Sequence, residues 1–133
     1  MNRKEFLDMV EHTEKTQLGL DFDGVIHKNS KGFHDGTIYD EPLDGALEAV
    51  KYLNTILGYD LVIYTCKATP ARPLVDGKTG IELVWEWLEK YDIKKYIKDV
   101  TYIKPNAVAY IDDKGIRFNN WSECLKQIED LSG

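Results

Sequence analysis

The chain has 133 residues, of which 43% are hydrophobic and 30% charged, with a formal net charge of −6. That length fits one domain able to bury its own core, and the acidic balance argues against nonspecific attachment to nucleic acid or anionic membrane. No apolar run approaches the roughly 20 residues of a membrane span, residues 1–5 lack the apolar segment of a secretory signal, and Cys66 and Cys124 make neither a disulfide scaffold nor a zinc motif, so a cytoplasmic, reducing setting is expected.

Phe6, Leu7, Met9 and Val10 share one face of a short leading helix over residues 1–15, with His12 on its surface and Lys15-Thr16 as its end. Residues 17–22 read as a short buried strand, which the turn residues Asp23-Gly24 stop. Residues 27–41, rich in Gly, Asn, Ser, Asp and His, predict a loop or small hairpin flap, too short to be a separate cap domain. Asp44 is placed to cap a helix carrying Ala46, Leu47, Val50, Leu53, Ile56 and Leu57, closed by Gly58. A second strand is expected over residues 60–65, then a loop from Lys67 to Lys78, then a helix with Ile81, Val84, Trp85, Leu88 and Tyr91 at helical spacing. Residues 100–103 and 107–111 read as two more strands, and residues 115–118 as a fifth. A closing helix over 121–131 carries Trp121, Cys124, Leu125, Ile128 and Leu131. Trp85, Trp87 and Trp121 are expected in core or half-buried packing, and Cys66 in an apolar interior. Strands alternating with helices predict a single α/β domain: a three-layer, doubly wound, mainly parallel sheet.

Polar groups stand at the ends of four predicted segments: Asp21 with Asp23, Thr65, Lys104, and Asp112-Asp113. Ligands of an open α/β sheet bind at the C-terminal edge of its strands, so groups scattered in sequence can converge there. Four gathered carboxylates would repel one another and raise their pKa values unless a cation neutralised them. Mg²⁺, a hard ion held by one or two carboxylates together with phosphate oxygens, answers that requirement.

In order along residues 17–120, Asp21-Phe22-Asp23-Gly24-Val25-Ile26, the apolar run ending in Thr65, Lys104, and the apolar run ending in Asp112-Asp113 resemble the four motifs of the haloacid dehalogenase superfamily. The first motif alone is weak, because Asp and Gly also build turns and calcium loops. Four in order, each after a predicted strand, are far more specific.

The resemblance implies a Rossmann-like core without a cap domain and a Mg²⁺-dependent phosphatase that forms an aspartyl phosphate on Asp21. It implies that Asp23 is the general acid and base, with its backbone carbonyl on the metal, that Thr65 donates to a phosphoryl oxygen, and that Lys104 neutralises Asp21 and the transferred group. Asp112 would be a direct metal ligand and Asp113 a water-mediated one, so the implied metal set is Asp21, Asp23, Asp112 and Asp113. Lys67 and Arg117 are the candidate substrate-binding cations; Arg72 and Lys114 are further positive charges near the mouth, and His27 and His34 border the flap. Relatives often carry Arg where this chain has Lys67, and the loop after it is longer than theirs. The expected substrate is a phosphomonoester such as a nucleotide, a sugar phosphate or a polynucleotide end, with no stable nucleic-acid partner and no membrane.

Two rival readings come from other classes. A signalling receiver domain also uses Asp, Thr and Lys-Pro, but its acidic pair comes first, whereas here Asp112-Asp113 follows Lys104-Pro105. A catalytically idle binding protein on the same fold would have no obvious reason to keep Asp21, Asp23, Thr65, Lys104 and Asp112 together.

Overall fold

Short apolar runs become strands here because each can be buried between neighbours, and the turn residues after them stop the run. The computed structural model describes residues 2–5, 17–35, 37–113 and 120–132. Strands β1 (Gln17–Asp21), β2 (Asp60–Tyr64), β3 (Ile97–Thr101) and β4 (Ala109–Ile111) form one all-parallel sheet in the order β3-β2-β1-β4. Helix α1 (Ala46–Thr55) joins β1 to β2, α2 (Gly80–Lys90) joins β2 to β3, and α3 (Trp121–Ser132) follows β4. This is an α/β fold. Among the described residues no helix is long and apolar enough to cross a membrane.

Register partners of parallel strands point to the same side of a sheet. Leu18 pairs with Leu61 and Leu20 with Ile63, while Leu61 pairs with Ile97 and Ile63 with Val100. These six side chains therefore share one face, and they form a single buried cluster with Ala46 and Val50 of α1 and Val84, Trp87 and Leu88 of α2. Both helices pack on that face. The leading helix expected over residues 1–15 lies mostly, and the fifth strand over 115–118 entirely, outside the described residues.

Several boundaries differ from the sequence reading, each for a physical reason. The third strand runs over Ile97–Thr101 and not 100–103, because a register shift between Leu61 and Val62 skips Lys98, which leaves Lys98 and Asp99 exposed on β3. Those charges hide the strand's first half in the sequence, whereas Tyr102 and Ile103, apolar enough to suggest strand, lie beyond it and are exposed. Asp44 does not cap α1. Gly45 holds that position with a φ of 83° and no side-chain cap. The same helix ends at Thr55, so Ile56 and Leu57 fall past it and are exposed. Trp87 is buried, but Trp121 is 68% exposed and is not core. By contrast, α2 begins with a full capping box, in which Thr79 and Glu82 satisfy each other's backbone amides.

The order of strands positions the site. The chain builds outward from β1 through β2 to β3, then returns to lay β4 on the other flank of β1. The winding reverses between β1 and β4, and a crevice opens at the C-terminal ends of the strands at such a reversal. Asp21 ends β1, and Asp112 follows Ile111, the last residue of β4, itself the partner of Leu20.

Candidate functional site

Asp21, Asp112 and Asp113 offer carboxylate oxygens that all lie within 4.8 Å of one another. Gly24 makes room for this cluster: its φ is 85°, and a Cβ there would overlap the Asp113 carboxylate. The Tyr64 hydroxyl, level with Asp21 on β2, donates to Asp112 Oδ2 at 3.2 Å. An apolar cavity of about 360 Å³ adjoins Asp112 and Asp113, walled by Leu20, Val50, Leu53 and Ile111. A low-dielectric wall of that kind sharpens repulsion between neighbouring charges. Burial, with the negative charges of Asp112, Asp113 and Asp23, pushes the Asp21 carboxyl up to about 6. The crowding also lifts the Tyr64 phenol well above its ordinary range, through burial first and then through Asp112 and Asp21. Three carboxylates this close fit a hard divalent cation, which would relieve the repulsion that raises Asp21.

Two residues on, Asp23 sits in the opposite environment. Its Oδ1 accepts from Lys67 Nζ at 2.8 Å and lies 2.9 Å from His27 Nδ1. Oδ2 is 3.4 Å from the Thr65 hydroxyl. Burial would raise this carboxyl, but the hydrogen bonds from His27 and Lys67 and the charge of Lys67 outweigh it and hold the group below the usual carboxylate range. The Asp23 carboxylate is not part of the acidic triad, so a metal role for this residue would fall to its backbone carbonyl.

Thr65 is buried, and its hydroxyl accepts the Lys67 amide at 3.2 Å, which starts a single 3₁₀ turn over Cys66–Ala68. That turn aims Lys67 inward. Gly80 completes the arrangement, because any Cβ at the first residue of α2 would collide with the Lys67 carbonyl. Arg72 Nη1 donates to the same carbonyl at 2.7 Å and its guanidinium lies 5.0 Å from the Phe33 ring, tying the 67–78 loop to the flap.

Among the described residues the flap's strand-like pairing is confined to its base, where His27 bridges Pro42 and the Lys28 amide bonds the Glu41 carbonyl. Inside it, the Tyr39 hydroxyl receives the Lys31 amide and donates to the Gly32 carbonyl, both at 2.7 Å.

Of the residues expected at the site, Asp21, Asp112 and Asp113 come together, and Asp23 and Thr65 meet beside them. Lys67 lies deep in the site: its side chain is 1% exposed, and its ammonium donates to Asp23 and Asn29. Lys104 is exposed, with Nζ 4.1 Å from the centre of the Tyr110 ring and 5.9 Å from that of Tyr64. No carboxylate among the described residues pairs with it. Cys66 is exposed, contrary to expectation, because the 3₁₀ turn that buries Lys67 turns its neighbour outward. Arg117 and Lys114 lie outside the described residues. His27, which the sequence places only at the border of the flap, is wholly buried on Asp23. The available signal was its spacing, four residues after Asp23 with Gly24 between.

No protein-family model, curated protein or solved structure matches this chain.

Proposed function

We propose that this chain is a Mg²⁺-dependent phosphomonoester hydrolase of the haloacid dehalogenase type, on that family's three-layer core, working through an aspartyl phosphate on Asp21. The observation that carries the reading is the pairing of two unlike carboxylates at one strand end: Asp21 crowded by Asp112 and Asp113, and Asp23 clamped by Lys67 and His27 within reach of Thr65. Without the ion the two shifts run opposite to these roles; a divalent cation on Asp21 and a substrate phosphate beside Asp23 would each reverse one of them.

Asp21, Asp112 and Asp113 would hold the ion, with the Asp23 carbonyl as a further oxygen donor. Bound Mg²⁺ supplies the positive charge that keeps these carboxylates ionised and offsets the charge of the phosphoryl oxygens. In the first half-reaction an Asp21 oxygen attacks phosphorus, the bond to the leaving oxygen breaks, and Asp23 gives that oxygen its proton. The incoming phosphate brings negative charge beside Asp23, which favours the protonated form this step needs. In the second, water attacks the same phosphorus, Asp23 takes its proton, and the bond to Asp21 breaks to release inorganic phosphate. Thr65, whose hydroxyl lies 3.4 Å from Asp23 Oδ2, would turn that hydroxyl to a phosphoryl oxygen.

A turnover assay decides the matter. With Mg²⁺ the protein should hydrolyse a generic aryl phosphate, chelation should stop it, and Asp21→Asn should lower kcat by roughly 10⁴-fold or more. No turnover across a panel of nucleotides, sugar phosphates and polynucleotide ends would leave the binding-protein reading in its place.

A further inference from the structure

We propose that His27 is a positioning residue for Asp23, seated by the flap so that one Asp23 oxygen, Oδ2, is left to face the substrate. The assignment rests on the phosphatase reading for its catalytic meaning, but its geometry stands alone. An amide N–H can only donate, and the Asp40 amide lies 3.0 Å from His27 Nε2, so Nε2 is the acceptor. The ring proton is then on Nδ1, which donates to Asp23 Oδ1 at 2.9 Å.

Asp40 itself is held on three sides. Its amide is on His27, its carbonyl accepts the Trp87 indole at 2.9 Å, and its carboxylate takes the amide and hydroxyl of Ser30. The imidazole plane is fixed as well, stacked on Phe22 at 5.3 Å between centroids and edge-on to Trp87 at 5.8 Å. At the other end of the flap, Asn29 Oδ1 accepts from Lys67 Nζ at 3.2 Å. Each end of the flap therefore grips one of the two side chains that grip Asp23. Both donors converge on Oδ1, so the carboxylate's rotation is set, and among the described residues Oδ2 has only the Thr65 hydroxyl. A partner that orients a reacting group in this way is worth roughly 10- to 100-fold in activity.

Two measurements on this chain test the proposal. In a two-bond ¹H–¹⁵N spectrum at neutral pH, the His27 ring, identified by its disappearance in His27→Phe, should show a proton on Nδ1 and a bare Nε2; a proton on Nε2 overturns the assignment whatever the activity. In the aryl phosphate assay, His27→Phe, which keeps the stacked ring but no donor, should lower kcat by about 10- to 100-fold with KM within about 3-fold. His27→Asn, which restores a donor near the Nδ1 position, should recover most of that loss. Wild-type kcat in His27→Phe, alongside an inactive Asp21→Asn, sinks the positioning role and spares the phosphatase. Activity retained in Asp21→Asn sinks the phosphatase reading, and the tautomer still decides the contact.

Discussion

Asp21 and Asp23 are the same residue type, two positions apart, at the end of one strand, yet they live in opposite surroundings. Asp21 faces two other carboxylates and is pushed up to about 6, whereas Asp23 faces an ammonium and an imidazole N–H and is held below its ordinary range. Strand alternation would turn residues two apart to the same face, so the separation arises where the chain leaves β1 after Asp21 and turns at Gly24. Sequence neighbours at a strand end can thus be given separate chemistry by what the next elements bring: β4 brings the acids, while the turn after β2 and the flap base bring the donors. The comparison also teaches that charge balance here is local. Asp21 is crowded by carboxylates, whereas Asp23 is held against the buried ammonium of Lys67.

Three experiments press on that contrast. The largest effect should come from Lys67→Met, which leaves the Asp23 charge part-buried with one donor fewer. Loss of one partner from a buried pair costs about 3 kcal/mol, readable in urea unfolding, and no change would mean that Lys67 does not hold Asp23. Next comes pH, on chelated protein. The folded-state pKa of Asp21 lies above the unfolded value, so the native state binds the extra proton and stability should fall as pH rises from 3.8 to about 6. Up to about 2 kcal/mol is expected after allowance for solvent screening, and Asp21→Asn should flatten the slope. Asp23 runs the other way: its stabilisation is present above its unfolded value of 3.8 and is lost as pH falls through its lower folded value. The smallest effect should be that of Gly24→Ala. Strain at a φ of 85° and the displaced Asp113 carboxylate should cost about 1 kcal/mol in thermal unfolding and weaken any Mg²⁺-induced rise in Tm.

The acidic half of the site was legible in the sequence because it follows from topology. Apolar runs at 17–22 and 107–111 read as strands, and residues that end adjacent parallel strands must meet at one edge. The clamped half was not legible. Lys67 looks like any loop lysine until the 3₁₀ turn after Thr65 and the bare backbone of Gly80 make space to bury it. His27 follows a Gly-containing turn, and nothing in a run of flap residues says that Asp40 will present its amide to the ring. Lys104 shows another limit: its place in the motif order suggests Asp21 as its partner, while its ammonium lies over the exposed Tyr110 ring on β4, a contact no spacing announces.

Among the described residues β4 lies at the edge of the sheet, pairs with β1 through three residue couples, Leu18 to Leu20 against Ala109 to Ile111, and has every residue exposed. The carboxylates at 112 and 113 thus follow the most lightly anchored of the four described strands, while Asp21 rides on an interior one. An ion gripped from both flanks would act as a rivet across that seam. The edge strand's reluctance to peel away would then depend on the salts in the surrounding solution as much as on its own hydrogen bonds.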